Sequence, residues 1–455
     1  MAVVPSVLLR VFDDPLEARS VLARSRIAAQ GPLPDAVRAS IRATFGADLS
    51  PEEVVHRVIA DVRERGDEAL RHYARSFDGA EPEDLLVPAE EIARAPERIA
   101  PEVRAALETS ADRIRSFHER SRRQTWIDFS SGHGLGQVMV PIHRVGVYAP
   151  GGRAAYPSTV LMAAVPARVA GVEEVVLASP PQRDGAQNQA VLAAAAIAGV
   201  DRVYRVGGAQ AIAALAYGTE TVEKVDKIVG PGNIFVVLAK QAVAGQVGID
   251  GIPGPTETIV IADDAANPSW AAADMIAQAE HDPLAQSVLV CLSRKFADSV
   301  LAELDRLLGE APRADVVRES FQRRGAIVIV EGITEAIAFA NDHAPEHVCL
   351  AMANPWDYLA SIRNAGGIFV GEGSVEALGD YTAGPSHIMP TGGTARFASA
   401  LSLDDFIKVV PLFAYDAKQE EAAARAAIAL AHAEGLSGHA AAIAARLEDT
   451  KDGTR

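Results

Sequence analysis

From Pro51 to about Arg122, apolar residues recur at three- and four-residue spacing with charges between them, the period of amphipathic helices. PEEVVHRVIADVRERGDEALRHYARSF and PEVRAALETSADRIRSFHERS are two such stretches, and their charges suit solvated outer faces. The rhythm changes near Gln137. QVMVPIHRVGVYAP reads as strand, and GGRAAYPSTVLMAAVPARVAG starts a helix after a glycine turn. EVVLASP, RVYRVGG and DKIVGPG then alternate, as strands, with the helical runs QAVLAAAAIAG, AQAIAALAYG and NIFVVLAKQAVAG. A second series follows, with strands ETIVIAD, SVLVCLS, AIVIV and GIFVG and helices WAAADMIAQAE, ADSVLAELDRLLG, ITEAIAFAND and WDYLASIRNAG. Short apolar strands alternating with helices of ten or more residues mark βαβ units on a parallel sheet.

The pattern predicts an α/β protein with two Rossmann-like domains on parallel sheets, plus small helical N- and C-terminal segments. One nucleotide-binding-like domain falls at 145–255. The other is discontinuous, 30–144 with 256–400, because the early helical region lacks enough strands to close a sheet alone. Residues 1–29 and 401–455 form the helical terminal segments, the tail being broken at Gly435–Gly438. The similar length of the two series points to a duplicated fold, without a residue-level repeat. Between Gly371 and Gly393 the chain is rich in Gly, Pro, Ser and Thr, as long functional loops are.

At 455 residues, two to four compact units are expected. The formal charge of -17 argues against general binding to nucleic acid or anionic membrane, while leaving room for a local basic pocket around a phosphate-bearing cofactor. Cys291 and Cys349 lie in short apolar runs and read as buried strand cysteines, with no disulfide framework. No apolar run reaches the ~20 residues that span a bilayer, and the first residues lack a signal-peptide pattern, so a cytoplasmic location is expected.

The eleven histidines narrow the search for chemistry. His56, His72 and His118 fall in amphipathic helices and are expected at the surface; His133, His143, His343 and His432 have no distinctive context. His281, His347, His387 and His439 each adjoin a polar or glycine-rich break. Gln278 and His281 stand three apart at a helix end, which suits a pair of metal ligands or a hydrogen-bonded helix end. Glu346 and His347 are neighbours before an apolar strand, a carboxylate and an imidazole able to act as general bases. Asp380 and His387 flank GDYTAGPSHIMPT, where no helix continues through Gly384–Pro385, so they meet only if the loop folds back. Glu434 and His439 bracket GLSG between two tail helices. A carboxylate, a glutamine and two imidazoles make a zinc donor set without cysteine. GPGN at Gly230–Asn233 follows a strand and opens a helix, as a phosphate-cradling turn does, but no full GxGxxG is present.

VGVYAPGGRAAYPSTVLM, VGGAQAIAALAYG, VDKIVGPGN, QAEHDP, PEHV, GDYTAGPSHIMPT and EGLSGH stand in the order and approximate separation found in histidinol dehydrogenases, which the chain resembles from about 30 to 445. The resemblance implies a cytoplasmic, zinc-dependent, NAD-linked enzyme that oxidises L-histidinol through bound L-histidinaldehyde to L-histidine, the last step of histidine biosynthesis. It implies that Gln278, His281, Asp380 and His439 are the zinc ligands and Glu346 and His347 the catalytic bases. Substrate would meet Thr256, Gln278, His281, His347, Asp380, His387, Glu434 and His439. Thr256 stands where many members have serine, which keeps the hydroxyl. Tyr148, Gln210 and Asn233 match NAD-contacting positions on an incomplete dinucleotide fold. The family's homodimer, with the terminal segments used in dimerisation, would place Glu434 and His439 in the partner's site. Two alternatives stand beside this one: a paralogous NAD-dependent dehydrogenase of a small sulfonated diol, and a sugar- or nucleotide-binding regulatory protein with a degenerate site.

Overall fold

A computed structural model describes residues 9–23, 33, 35–80, 82–130, 133–151, 155–415 and 420–448. Fourteen strands occur among them: β1 (Arg10–Phe12), β2 (Trp126–Asp128), β3 (Gly134–Pro141), β4 (Arg144–Tyr148), β5 (Glu174–Ser179), β6 (Arg202–Arg205), β7 (Lys227–Val229), β8 (Gly248–Ile249), β9 (Glu257–Ala262), β10 (Gln286–Cys291), β11 (Ala326–Ile329), β12 (His347–Ala351), β13 (Gly367–Val370) and β14 (Ile407–Ala414). The chain divides into two compact units, 1–121 with 142–406 and 122–141 with 407–455.

The first unit holds two parallel sheets, ordered β6-β5-β4-β7-β8 and β1-β11-β10-β9-β12-β13. Counted from the first strand of each series, both run 3-2-1-4-5, so the duplication expected from the two series is a duplication of topology. Every residue of β9, β10 and β12 is buried, which is why these segments read as unbroken apolar runs: helices cover both faces of a parallel sheet. Helices Pro268–Ala279 and Arg294–Leu308 cover one face of that sheet and Ile333–His343 the other. Cys291 and Cys349 are buried free thiols in β10 and β12.

Three expectations about element placement are corrected. The helices of 35–119 pack on the five-stranded sheet, not beside the sheet of 256–400. Val55, Val58, Val62, Leu70 and Tyr73 share a core with Tyr148, Val176 and Tyr204, while Ile92, Leu107 and Ile114 share one with Val145 and Leu161. They need no strands of their own because they cover a sheet that follows them in sequence. Second, the N-terminal segment contributes an edge strand, β1, paired in parallel with β11 (Arg10↔Ala326), ahead of the helix Pro15–Val21. Third, the segment after 401 is not wholly helical, since β14 precedes its two helices.

In the second unit β14, β3 and β2 form an antiparallel sheet, followed by helices Glu421–Ala433 and Ser437–Glu448. The apolar run 137–150, read as one strand, is two: β3 serves this sheet and β4 the five-stranded one. Among the described residues no helix is long and apolar enough to cross a membrane.

Candidate active site

Strands β9 and β12 are neighbours, with His347 opposite Thr258. That register sets the residues just before each strand, Thr256 and Glu346, side by side at the amino-terminal edge of the sheet. Ala344 closes the preceding helix in the left-handed region (φ 50°), and Pro345 then holds the chain extended into Glu346. Thr256 Oγ1 donates to Glu346 Oε2 (2.5 Å), and the Glu257 backbone N–H donates to the same oxygen (3.1 Å). Burial outweighs these bonds and pushes the Glu346 carboxyl up to about 7.

His347 is 4 % exposed and is engaged from another side. Its Nδ1 lies 3.2 Å from Glu376 Oε1, and the Phe369 ring meets its edge at 5.6 Å between centroids. Burial alone would lower the imidazole, but the carboxylates of Glu376 and Glu346 outweigh it and raise the proton affinity. Glu376, itself buried, accepts from Thr258 Oγ1 (2.7 Å). It opens the short helix Glu376–Tyr381, and Asp380 follows one turn later on the same face. Glu376 lies in a Gly-rich stretch that reads as loop, and its only signal in the sequence is the four-residue spacing to Asp380.

Gln278, fully buried, ends the helix Pro268–Ala279, and His281 follows in the turn after it. The Gln278 carboxamide has two settings. With Nε2 donating to Thr256 Oγ1 (2.7 Å), its oxygen faces the Glu376 carboxylate. Turned over, Nε2 donates to Glu376 Oε1 (2.5 Å), and its oxygen accepts from Glu257 N (2.8 Å) and Thr256 Oγ1 (2.7 Å). The loop after Asp380 does fold back: His387 Nδ1 donates to the Asp380 carbonyl (2.9 Å), and its Nε2 lies 3.2 Å from Thr159 Oγ1. Burial lowers His387, partly countered by Asp380. His281 and Asp380 both act electrostatically on this cluster, His281 on Glu376 and His387, Asp380 on His347 and His387. Asp274, one turn before Gln278, is pushed up to about 7 by burial and by Glu376.

Thr256, Gln278, Glu346, His347, Glu376, Asp380 and His387 thus form one cluster in the first unit. Among the described residues no three His, Cys, Asp or Glu side chains are grouped as metal ligands. Glu434 and His439 belong to the second unit, where Glu434 caps the helix Glu421–Ala433 and His439 lies in the first turn of Ser437–Glu448; both are exposed.

Tyr148, Gln210 and Asn233 gather at the carboxyl edge of the five-stranded sheet. β4 and β7 are adjacent there although the chain departs from β4 toward β5, which is a topological switch point, the usual crevice for a nucleotide. Tyr148 Oη accepts from Gly208 N (3.1 Å), and Asn233 caps the helix Ile234–Val243 through Phe235 N (3.0 Å) and Val236 N (3.2 Å). Gln210 is buried in the first turn of Gly208–Tyr217. Gly230 has φ +118°, and a Cβ there would meet Tyr148 O at 2.1 Å, so the GPGN turn admits only glycine at this point. Asp250 Oδ2 accepts from Gly230 N (2.7 Å), and the fully buried Lys240 Nζ donates to Gly230 O (2.9 Å) and to Asp250. From Asp250 only six residues lead to Thr256, a reach of about 20 Å at most. The carboxyl edge of the five-stranded sheet and the Glu346–His347 edge of the other are therefore neighbours by chain continuity.

Comparison with known proteins shows the family. Residues 45–447 match the histidinol dehydrogenase family model. The histidinol dehydrogenase of Deinococcus radiodurans is 48% identical over 434 residues, covering 95% of this chain and 98% of that one. That of Moorella thermoacetica is 50% identical over 397 residues, 87% and 94% of the two chains. The crystal structure of histidinol dehydrogenase from Elizabethkingia anophelis superposes with a TM-score of 0.89 at 33% identity, over 98% of this chain and 99% of that one. The chain belongs to the histidinol dehydrogenase family and is an oxidoreductase.

Proposed function

We propose that this enzyme oxidises L-histidinol through bound L-histidinaldehyde to L-histidine with two NAD and one zinc ion per subunit, completing histidine biosynthesis. The observation that carries the reading is the buried Glu346–His347 pair, each member held by a different partner, beside Gln278, with Asp380 and His281 acting on the same cluster. The donor set suits zinc: an amide oxygen, an imidazole and a carboxylate from Gln278, His281 and Asp380, completed by His439. Bound zinc would hold the substrate amine and imidazole and fix their orientation. Tyr148, Gln210 and Asn233 would seat NAD, which would supply the hydride acceptor in each half-reaction.

This chain's residues move the protons. Glu376 holds His347 Nδ1, which leaves Nε2 to take the alcohol proton as the carbinol carbon is oxidised. Glu346 then takes a proton from water as it adds to the aldehyde, while protonated His347 gives its proton to the former carbonyl oxygen and so becomes a base again; Thr256 and Glu257 N keep the Glu346 carboxyl aimed. A carboxyl near 7 suits this step, because it gains and loses a proton readily at neutral pH. His347 deprotonates the hydrate in the second oxidation. His387 and Glu434 hold the substrate, and Thr256 reaches it through its hydroxyl. Glu434 and His439 are supplied by a second copy of the chain in a homodimer. Exposed Trp126, Phe129 and Phe413 on the second unit support such an association, since aromatic side chains are enriched at protein interfaces. A cytoplasmic location goes with this role.

The sulfonated-diol alternative is not favoured, because the family model and the relatives above carry the histidinol name. Incubation with L-histidinol and NAD, with products separated by chromatography, tests the substrate. L-histidine is the expected product; turnover of a sulfonated diol without any from histidinol would overturn it.

A further inference from the structure

Complete dinucleotide folds place an acidic residue at the end of the second strand to receive the adenosine ribose hydroxyls. Here that strand, β5, ends in Ser179–Pro180–Pro181. Pro180 packs so closely that a Cβ on Gly207 or Gly151 would come within 2.6 or 2.9 Å of it. The place for a carboxylate is filled by proline.

A carboxylate reaches the same edge from elsewhere in the chain. Residues 85–87 run antiparallel along the outer side of β6, with Arg205 N donating to Leu85 O (2.7 Å) and Val87 N to Val203 O (2.8 Å). The chain before Leu85 therefore lies beyond the carboxyl end of β6, beside Gly207 and Gly208. Asp78 is delivered there by the π-helical turn Ala74–Asp78, closed by Gly79 at φ +62° and anchored by Phe77 stacked on Tyr73 at 5.4 Å. Its Oδ2 is buried with no hydrogen-bond partner among the described residues. Its charge acts on the Tyr148 phenol, and burial pushes the Asp78 carboxyl up to about 6. A carboxylate desolvated in this way gains most from ligand hydroxyls that donate to it.

The order of strands fixes which end of the cofactor this is. The link to Thr256 leaves from β8, whereas Asp78 lies at β6, four strand spacings or about 19 Å across the sheet. With the nicotinamide toward Thr256 and Glu346, the adenosine falls at β6. We infer that Asp78 receives the adenosine ribose hydroxyls of NAD and excludes the 2′-phosphorylated cofactor. This rests on the proposed use of NAD at the Tyr148–Asn233 edge.

Calorimetric titration of the zinc-loaded protein with NAD and with NADP tests it without reliance on turnover. Asp78→Asn should weaken NAD binding by about tenfold to a hundredfold and narrow the gap to NADP. The same variant should melt higher than the parent without cofactor, because an unpartnered buried carboxylate has been removed; a residue serving only the fold would melt lower. Asp78→Ser provides a second variant with the same expected losses. If the parent binds NAD and both variants keep its affinity and its discrimination, the assignment of Asp78 is wrong. If the parent binds no NAD, the cofactor reading itself fails, and this inference with it.

Discussion

Glu346 and His347 are adjacent in sequence, yet their partners differ, and that difference assigns them different work. Glu346 is held by Thr256 and Glu257 N, His347 by Glu376. Glu346→Gln should slow aldehyde oxidation by ~10² to 10⁴ and spare the alcohol half, whereas His347→Asn slows both. Single-turnover traces started from histidinol or from histidinaldehyde separate the halves, and an equal loss in both for Glu346→Gln contradicts the division. Glu376→Gln should lower kcat by about 10- to 100-fold, since it removes the anionic partner of His347 Nδ1, with KM for NAD unchanged. Steady-state kinetics would show a rise confined to KM if Glu376 merely shaped the pocket. The candidate cluster was legible in the sequence where chemistry-bearing residues are neighbours, as at Glu346–His347, or adjoin a break, as at Gln278–His281. Glu376 escaped because it lies in a Gly-rich stretch that reads as loop, with no titratable residue next to it. His118, expected on a surface, is 1 % exposed on the inner side of its helix, since periodicity shows a face but a lone imidazole does not reveal which face it joins.

At the level of elements, the parallel strands were readable because burial on both faces demands unbroken apolar runs, as in ETIVIA and QSVLVC. Edge strands carry a weaker signal. β1 has three residues, and β14 is largely exposed with a pattern that tail helices could share. The split of 137–150 into β3 and β4 was hidden because one apolar run continues across the bend at Ile142–His143. Which sheet the early helices cover is a tertiary fact, set by the match of Val55, Val58 and Leu70 to Tyr204 and Ile212, not by any local pattern. The turn Gly230–Asn233 gives an element-scale test. Lys240→Met strands Asp250 as a buried, unpaired carboxylate and should cost about 3–5 kcal/mol in denaturant unfolding. Lys240→Met with Asp250→Leu should recover most of that loss; if it does not, the pair does more than neutralise itself.

Across the whole molecule, one topology is used twice with opposite edges: the proposed nucleotide edge is the carboxyl end of one sheet, the proposed catalytic edge the amino end of the other. The link Asp250–Thr256 joins them. Stability should also carry an acid limb at this scale. His118 is buried with neither ring nitrogen paired among the described residues, and burial lowers it from 6.5 to about 4. The unfolded chain takes its proton first, so its contribution is whole above pH 6.5 and is lost as pH falls toward 4, by up to about 3 kcal/mol. Denaturant melts from pH 4 to 7 should show that slope, and His118→Leu should flatten it. The proposed reaction is a four-electron oxidation that depends on zinc, and it can be read by counting product. NADH formed per limiting L-histidinol, with NAD in excess, should be two, should vanish after chelation and should return with zinc. One NADH per histidinol, or a yield untouched by full removal of metal, would overturn the zinc-dependent four-electron reaction.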